Sequence, residues 1–344
     1  MGQLRVLTLL IRLDGGGAER SVARIVGPLA SRSVLVDRYA IDPAWPGEDS
    51  QPDKTLTSKP VRGPLRLLVA ARRLASTIRA SRPDVVHLHC EAPEIVGLIA
   101  RLLTIGQKFS IVVTDHSMKS WSGVRAPLGW LIRNALQGFG AVYVSCFNSA
   151  AKQERARVIL NPSGKLGVLA ASPDSGGRLV VIGRVIESKR IDEVLRAARL
   201  SSWNGEILIV GAGPNMESLQ TLAEELDLKV SFLGHQRNPW SSVAPNDLYV
   251  SASSFEGEPL TLIEAMQYDL SVLVSDIPAH VKVLKGHPGI FASRAQLSEF
   301  LSLYLSEPAH GRFKVDPSLR KEILAARDPM RIAEEWESLY RAIT

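Results

Sequence analysis

Residues 247–266 read DLYVSASSFEGEPLTLIEAM, an apolar run, an acidic loop and a second apolar run. The first run predicts a buried strand. Pro259 is expected at the first position of a helix, because a missing N–H costs nothing there. The amides of Leu260 and Thr261 would then face the loop, where a phosphate can bind. The stretch therefore predicts a strand, a loop and a helix around an anion site.

Two glutamates flank this anion site. Glu256 lies in the loop, and Glu264 lies about 7.5 Å along the helix from Pro259, at roughly 1.5 Å per residue. One ligand with an anion in its middle could touch both carboxylates and the helix N-terminus. Glutamates at this spacing around a surface helix are also often only solvated, but the strand, glycine, proline and helix context favours a ligand site.

Composition predicts a soluble protein of two domains. The chain has 344 residues, of which 45% are apolar and 22% are charged. Cys90 and Cys146 are too few for a disulfide framework, so two reduced thiols in a cytoplasmic protein are expected. We find no secretory signal in the sequence, and the uncharged apolar runs are too short to span a membrane.

Short apolar runs alternate with amphipathic stretches along the whole chain. Strands are predicted at residues 5–11, 33–38, 85–89, 110–114 and 141–144, and again at 179–182, 206–210, 229–233, 248–250 and 271–274. Helical periodicity is clear at residues 20–30, 65–80, 191–200, 216–226 and 329–342. This alternation predicts an α/β protein with two doubly wound parallel sheets, joined by a Gly- and Pro-rich linker around residues 161–177.

Two glycine loops follow predicted strands. Gly15-Gly16-Gly17 opens a helix, where glycines let a backbone approach a diphosphate or a sugar. A tight structural turn is the alternative there, and it is the preferred interpretation for residues 211–214. Arg20 and Met216 occupy the third glycine positions of the two loops, so neither is a good dinucleotide fingerprint.

Cations and a histidine follow other strands. Arg184, Lys189 and Arg190 precede a helix, where cations oppose the helix dipole unless an anion is bound between them. A solvated basic loop is the alternative. His116 ends another strand and could hydrogen-bond a substrate hydroxyl or phosphate, or be structural. The His and Cys residues do not show zinc-site spacing.

Charge is distributed unevenly along the chain. Residues 1–170 carry 23 Lys and Arg against 12 Asp and Glu, whereas residues 171–344 carry 18 against 23. Two basic stretches, 59–82 with its arginines and 119–133 with Trp121 and Trp130, suit an anionic membrane surface. Ordinary helices with arginines in water are the alternative. Nucleic acid is disfavoured as a partner, because no recognition motif accompanies the charge.

Taken together, these segments resemble the retaining glycosyltransferases of family 4, which have the GT-B fold. The resemblance covers nearly the whole chain. It rests on Gly16–Arg20, Pro83–His89, Thr114–His116, Val158–Pro162, Gly183-Arg184 with Lys189, Ile209–Pro214, Phe232–Gly234 and the pair Glu256 and Glu264. Arg190 stands where the family often has glycine, Asn161-Pro162-Ser163 replaces Asn-Gly-Val, and the chain is short for the family.

The resemblance implies a role for each candidate site residue. Gly16 and Gly17 would border the diphosphate and sugar, and Arg184 and Lys189 would hold the diphosphate. Glu256 with Gly257 would lie beside the transferred sugar, with Leu260 and Thr261 at the phosphates, and Glu264 would bind the ribose. His116 would contact the sugar or the reacting phosphate, and His235 and Gln236 would border the base. The set of proposed catalytic residues is Glu256, His116, Arg184 and Lys189.

The resemblance also implies the domain plan and the mechanism. The predicted domains are an acceptor-binding domain at residues 1–163, a linker at 164–178, a nucleotide-sugar domain at 179–328 and a returning helix at 329–344, with the two Rossmann-like domains facing each other across a cleft. In such enzymes the leaving phosphate accepts the acceptor's proton on the same face of the sugar. Glu256 is then an orienting or stabilising carboxylate and not a proven nucleophile. We expect neither a cofactor nor a metal.

The predicted function is transfer of a hexose from a nucleoside-diphosphate sugar, such as a UDP-sugar, to a saccharide or lipid-linked acceptor in cell-envelope glycan synthesis. The protein is expected in the cytoplasm, or peripherally on the inner face of the membrane. Three alternatives stay open: a nucleotide-sugar epimerase of the same fold, a non-catalytic nucleotide-sugar-binding subunit, and a nicotinamide-dependent oxidoreductase. The poor glycine fingerprints disfavour the oxidoreductase.

Overall fold

A computed structural model describes residues 2–13, 16–43, 54–57, 63–116, 121–147, 157–164, 167–169, 177–306 and 310–344. Gly15, Lys59, Arg62, Lys119 and most of the predicted linker lie outside these ranges. The chain divides into two compact units. The first comprises Met1–Ser163 and Arg327–Thr344, and the second comprises Gly164–Ala326.

The first unit contains a parallel sheet with strand order β2-β1-β3-β4-β5-β6. Its strands are β1 (Leu4–Leu10), β2 (Val34–Ala40), β3 (Val85–His89), β4 (Ser110–Asp115), β5 (Val142–Ser145) and β6 (Arg157–Val158). Its helices are α1 (Gly17–Ala30), α2 (Pro64–Ser81), α3 (Glu91–Leu103), α4 (Ala126–Gly138) and, from the end of the chain, α11 (Pro329–Ile343). Apolar clusters cover both faces of the sheet.

The second unit contains a parallel sheet with strand order β12-β11-β10-β7-β8-β9. Its strands are β7 (Leu179–Ile182), β8 (Ile207–Val210), β9 (Val230–Gly234), β10 (Leu248–Ser251), β11 (Ser271–Ser275) and β12 (Ile290–Phe291). Its helices are α5 (Ile191–Leu200), α6 (Met216–Glu225), α7 (Leu260–Gln267), α8 (Pro278–Leu284), α9 (Arg294–Ser306) and α10 (Pro317–Ala325). Its sheet is likewise covered on both faces. The ten strands predicted from the apolar runs are confirmed, and so is the α/β class.

The final helix begins at a strong sequence signal. The Asp328 side chain accepts hydrogen bonds from the amides of Met330 and Arg331, at 2.9 and 3.1 Å, and Pro329 occupies the first turn. Helix α11 then packs in the first unit, where Tyr340 is 1% exposed. The Tyr340 hydroxyl bonds Nδ1 of the buried His87 at 2.8 Å, and Nε2 of His87 bonds Thr114 Oγ1 at 2.6 Å. Burial lowers the pKa of His87 to about 3, so the ring is neutral at pH 7.

The second glycine loop is a structural turn, as its sequence suggested. Gly211 has a φ of 152°, and a Cβ built on it would lie 1.7 Å from the carbonyl oxygen of Gly183. A Cβ on Gly213 would lie 2.1 Å from the carbonyl oxygen of Val185. The loops that follow β7 and β8 can therefore touch only because these side chains are absent.

We expect the change Gly211→Ala to lower the free energy of unfolding of the second unit by roughly 1–3 kcal/mol, the usual cost of forcing a methyl group into a packed site. Urea unfolding followed by tryptophan fluorescence measures this. Gly311→Ala is the control, since a Cβ on Gly311 meets no atom within 4 Å. Equal unfolding midpoints for the two variants would contradict the prediction.

Candidate functional site

The candidate site lies where the order of the second sheet reverses. From β7 the chain continues to β8 and β9 on one side, whereas β10, β11 and β12 lie on the other side. Ligands of open parallel sheets bind at the carboxyl ends of the strands at such a point. Residues 183–190 follow β7 and residues 252–259 follow β10, and the Ser254 amide joins them by donating to the Ser188 carbonyl at 2.8 Å.

Lys189 and Glu256 come from these two loops and form an ion pair between Nζ and Oε1. The same Oε1 accepts a hydrogen bond of 2.7 Å from Ser253 Oγ. The side chains of Lys189 and Glu256 are 20% and 15% exposed, so the pair is partly shielded from water. The structure thus joins two residues that the sequence analysis had assigned separately to the diphosphate and the sugar, and in this state the partner of Lys189 is Glu256.

Two arginines of the first loop have different positions. Arg184 is exposed, and none of the described residues bonds its guanidinium. Arg190 has a φ of 48°, the left-handed conformation that glycine adopts with least strain. This conformation gives a physical reason for the glycine that the family resemblance leads us to expect at this position. Arg184 therefore offers a charge to a ligand, whereas Arg190 shapes the turn into α5.

Glu264 is buried, with 3% exposure, on the helix that follows Glu256. The indole N–H of Trp240 donates to Glu264 Oε2 at 2.8 Å. Trp240 is itself 4% exposed and packs against Tyr268 and Tyr249, with ring centroids 5.1 and 6.3 Å away. The sequence analysis missed Trp240 because 24 residues separate it from Glu264. A buried carboxylate needs hydrogen-bond donors. The apolar residues around Glu264 were the only sequence signal that could have prompted a search for a donor such as Trp240.

The start of α7 differs from the prediction in one respect. The helix begins at Leu260 with Pro259 as its N-cap, so Pro259 is one position earlier than expected. The Leu260 amide is not free, since it donates to the Glu258 carbonyl at 2.9 Å. The Thr261 hydroxyl bonds Tyr249 OH at 2.7 Å. Pro259 has a ψ of 74°, outside the helical region, and this bend turns the Leu260 amide back onto the loop. Gly257 is partly buried in the loop between Glu256 and the helix.

His235 and Gln236 follow β9, the edge strand of the same sheet. Both side chains are exposed. The Gln236 amide donates to the Leu233 carbonyl at 2.9 Å, which holds it against the strand end. Two strands separate this loop from the reversal point next to β7. The predicted contact of these residues with a base stays a prediction.

Gly16 and Gly17 belong to the first unit. Gly16 is the N-cap of α1 and Gly17 is its first residue. A Cβ on Gly16 would lie 1.9 Å from Oε2 of Glu19, so the space beside this glycine is taken by its own helix. The Glu19 side chain is flexible and Gly16 has an extended backbone, so this contact does not by itself explain the glycine. Its predicted place beside a diphosphate or sugar remains a prediction.

His116 also belongs to the first unit, at the end of β4. Its Nε2 bonds His89 Nδ1 at 2.8 Å, and its Nδ1 lies 3.4 Å from Cys146 Sγ. Burial lowers the pKa of His116 to about 4, so the ring is neutral at pH 7. A substrate contact would require one of these bonds to open. The catalytic role predicted for His116 stays a prediction, and the sequence analysis did not foresee this cluster.

The described ranges contain no group of three or more His, Cys, Asp or Glu residues arranged to hold a metal ion. In the same ranges, the helices lack the combination of length and apolar character that crossing a membrane requires.

Two family models match the chain, one in each unit. Residues 15–161 match the model described as Glycosyltransferase Family 4, and residues 171–301 match Glycosyl transferases group 1. The chain therefore belongs to the glycosyltransferases that these two models describe. The enzyme class predicted from the sequence, a glycosyltransferase, is thereby confirmed.

Curated relatives agree with the family. Lipopolysaccharide 1,6-galactosyltransferase of Escherichia coli K12 is 27% identical over 139 residues, which cover 38% of this chain and 39% of that enzyme. The Salmonella typhimurium enzyme of the same name is 30% identical, with 35% and 36% covered, so the chain spans less than two thirds of either relative. An α-1,4-N-acetyl-D-galactosaminyltransferase of Campylobacter jejuni, whose named substrate is an undecaprenol-linked glycan, is 22% identical with 98% of both chains covered.

Solved structures agree with the fold. Sucrose-phosphate synthase from Thermosynechococcus elongatus has a TM-score of 0.76, 17% identity and 99% of both chains covered. Anabaena Alr3699/HepE in complex with UDP and glucose also has a TM-score of 0.76 and 17% identity, with 98% and 99% covered. Together with the two six-stranded parallel sheets, these likenesses confirm the predicted GT-B fold.

We expect Trp240→Phe to lower the free energy of unfolding of the second unit by about 1–3 kcal/mol, because the buried Glu264 carboxylate loses a donor. Thermal and urea unfolding measure the change. Trp203→Phe is the matched control, since Trp203 is buried in the same unit and its indole N–H lacks a partner among the described residues. The prediction is wrong if Trp203→Phe costs as much as Trp240→Phe.

Proposed function

We propose that this glycosyltransferase moves a hexose from a UDP-sugar to a saccharide or lipid-linked acceptor in cell-envelope glycan synthesis, with retention of configuration and without a metal. The observation that carries the proposal is the group formed by Lys189, Glu256 and Ser253 at the carboxyl ends of β7 and β10. The buried carboxylate of Glu264 on α7 and the exposed guanidinium of Arg184 belong to the same unit.

The charges of this group suit transfer of a glycosyl group. As the bond to the diphosphate breaks, negative charge grows on the leaving oxygen and positive charge grows at the anomeric carbon. Arg184 and Lys189 stabilise the first, and the carboxylate of Glu256 stabilises the second. Lys189 is paired with Glu256 here. When a donor binds, the Lys189 ammonium therefore has to interact with both that carboxylate and the diphosphate.

Retention follows if the acceptor attacks from the face that the diphosphate leaves. The leaving phosphate then takes the acceptor's proton, the new glycosidic bond forms as the old one breaks, and Glu256 remains an ionised carboxylate that forms no covalent bond to the sugar. In this scheme the Glu256 carboxylate, held through Oε1 by Lys189 and Ser253, has a stabilising role toward the positive charge at the anomeric carbon. The two cations supply the charge that a divalent metal would supply at the diphosphate, so chelators should leave transfer unchanged.

The donor and the acceptor are inferred from chemistry and from similar proteins. Glu264 has the carboxylate that ribose hydroxyls require, and Anabaena Alr3699/HepE, with the same fold, has been solved with UDP-glucose. The curated relatives are named for lipopolysaccharide and undecaprenol-linked glycans. We therefore place the acceptor among lipid-linked or envelope saccharides, and we place the enzyme at the cytoplasmic face of the membrane.

The membrane-facing surface that we propose is the exposed apolar stripe of α4 and the turn before it, made of Val124, Leu128, Trp130 and Leu131. Helix α2, the other basic stretch, is less suited, because its apolar face packs in the core. Arginines are ion-paired in both stretches, since Arg125 pairs with Glu91 and Arg133 pairs with Glu94 and Asp115. Arg66 pairs with Asp42, and Arg73 donates to the Leu56 carbonyl. Trp121 is also core, whereas Trp130 is 69% exposed.

Anionic lipid fits this surface better than a neutral partner does. The first 170 residues carry 23 cationic against 12 acidic side chains, and a tryptophan beside basic residues is typical of the bilayer interface. The apolar stripe would enter the headgroup region while long-range attraction holds the unit to the surface.

The site assignment is tested by Glu256→Ala and Lys189→Ala. We expect each variant to lower kcat for transfer at least about hundredfold, since each removes a charge aimed at the transition state. A thermal-shift screen of UDP-glucose, UDP-galactose, UDP-GlcNAc and UDP-GalNAc first identifies the donor. UDP release with solubilised envelope glycolipid then measures the rate. Lys321→Ala, an exposed lysine on α10, is the control and should be unchanged.

The outcomes also separate the rivals. Wild-type rates in both variants would refute the site. An epimerase would interconvert the nucleotide sugars without releasing UDP, and a binding subunit would give a thermal shift without any turnover.

Membrane binding is tested by co-sedimentation with vesicles of phosphatidylglycerol and phosphatidylcholine at low salt. The double change of Trp130→Ser and Leu131→Ser should weaken binding at least about tenfold, because burying one such side chain is worth about 1.5–3 kcal/mol. Leu200→Ser is the control, since Leu200 is 64% exposed in the other unit. Failure of the wild-type protein to bind would refute the membrane proposal and leave the transfer proposal intact.

A further inference from the structure

The Glu256 carboxylate is held by one of its two oxygens. Oε1 bonds both Lys189 Nζ and Ser253 Oγ, whereas none of the described residues bonds Oε2. A carboxylate held in this way has one oxygen occupied by the protein and one oxygen that a ligand can meet. The position of the second oxygen depends on whatever fixes the first.

Ser253 fixes that oxygen with a single, directed proton. A carboxylate can only accept, so the hydroxyl of Ser253 must be the donor to Glu256. The hydroxyl of Ser251, 3.2 Å away, must then donate to Ser253. Ser253 is 1% exposed, so water does not compete for this bond. Ser251, the last residue of β10, and Ser253, two residues later, form one chain of hydrogen bonds directed at Glu256.

The backbone of Ser253 is held from the neighbouring strand. Ser275 Oγ, at the end of β11, donates to the Ser253 carbonyl at 2.6 Å. Nδ1 of His280 donates to the Ser275 carbonyl at 2.9 Å, and His280 is 0% exposed. Burial lowers the pKa of His280, which keeps the ring neutral with its proton on Nδ1. The support therefore extends from α8 through β11 to the serine that touches Glu256.

An ordinary buried serine behaves differently. Ser201, in the same unit, donates its proton to the Ala198 carbonyl at 2.9 Å, and so satisfies the end of α5. Ser275 likewise donates to a carbonyl. Ser253 instead donates its only hydroxyl proton to a carboxylate at the candidate site. A purely structural role would not require that choice.

We propose that Ser253 is a positioning residue for the transfer reaction: together with Lys189 it fixes Oε1 of Glu256 and so directs Oε2 toward the donor sugar. This inference rests on the proposed function. Its importance grows when a donor is bound, because the diphosphate then draws on the Lys189 ammonium, and Ser253 remains as the constant partner of Oε1. Small misplacement of a reacting group is costly, on the order of a hundredfold for about 1 Å.

The test compares Ser253→Ala with wild type, using the nucleotide sugar that gives the largest thermal shift and solubilised envelope glycolipid. We expect kcat to fall about tenfold to hundredfold while KM for the donor changes less than about threefold. Ser253→Thr, which keeps the hydroxyl, should recover most of kcat. Ser201→Ala removes an equally buried hydroxyl away from the site and should leave kcat unchanged. If Ser253→Ala does not fold, Ser253→Cys, a weak donor of similar size, is used in its place.

A double-mutant cycle separates positioning from any independent effect. If Ser253 acts through Glu256, Ser253→Ala should change the residual rate of Glu256→Ala by less than about twofold. An equal loss in both backgrounds would overturn the inference, and so would wild-type kcat in Ser253→Ala when Glu256→Ala is inactive. Wild-type kcat in Glu256→Ala would instead refute the proposed function itself.

Discussion

The candidate site depends on the parallel pairing of β7 with β10. Leu248 and Tyr249 pair with Leu179 and Val180, although almost seventy residues of chain separate the two strands. This pairing brings the loop that carries Lys189 against the loop that carries Glu256. It also fixes the point at which the sheet order reverses, and hence where a ligand can approach the strand ends. The ion pair between Lys189 and Glu256 follows from that one adjacency.

The cost of burying charge determines which partners Glu256 and Glu264 require. A carboxylate removed from water is costly unless donors replace the lost hydration. The two glutamates meet this requirement in different ways. Glu264, which is 3% exposed, has the fixed indole of Trp240, whereas Glu256 has a mobile ammonium and a buried hydroxyl. A carboxylate with a rigid neutral partner is suited to recognition, and one that shares a cation with a ligand is suited to chemistry that moves charge.

The sequence was sufficient to predict ten of the twelve described strands, the two-unit α/β plan and the loops that carry Lys189 and Glu256, because these depend on local periodicity and on loops that directly follow strands. The two-residue strands β6 and β12 are too short to show such periodicity. The sequence could not reveal partners contributed by other strands. The bond between Ser275 and Ser253 crosses 22 residues, and that between His116 and Cys146 crosses 30. Such contacts depend on strand order, which alternation alone does not specify. The prediction that the Leu260 amide is free for a phosphate was wrong, because this amide donates to the Glu258 carbonyl at the start of α7.

The two units have the same architecture and different chemistry at their strand ends. In the first unit the charged groups at the strand ends are paired, since the Arg133 guanidinium is shared by the carboxylates of Glu94 and Asp115 at 2.7–3.2 Å. His116 bonds His89 there, whereas Nε2 of His89 is buried without a partner among the described residues. In the second unit Arg184 is exposed, and one oxygen of Glu256 has no partner among the described residues. An anionic donor gains most where the protein has left charge uncompensated. The exposed guanidinium of Arg184, together with the sheet topology, therefore supports our proposal that the nucleotide sugar binds to the second unit.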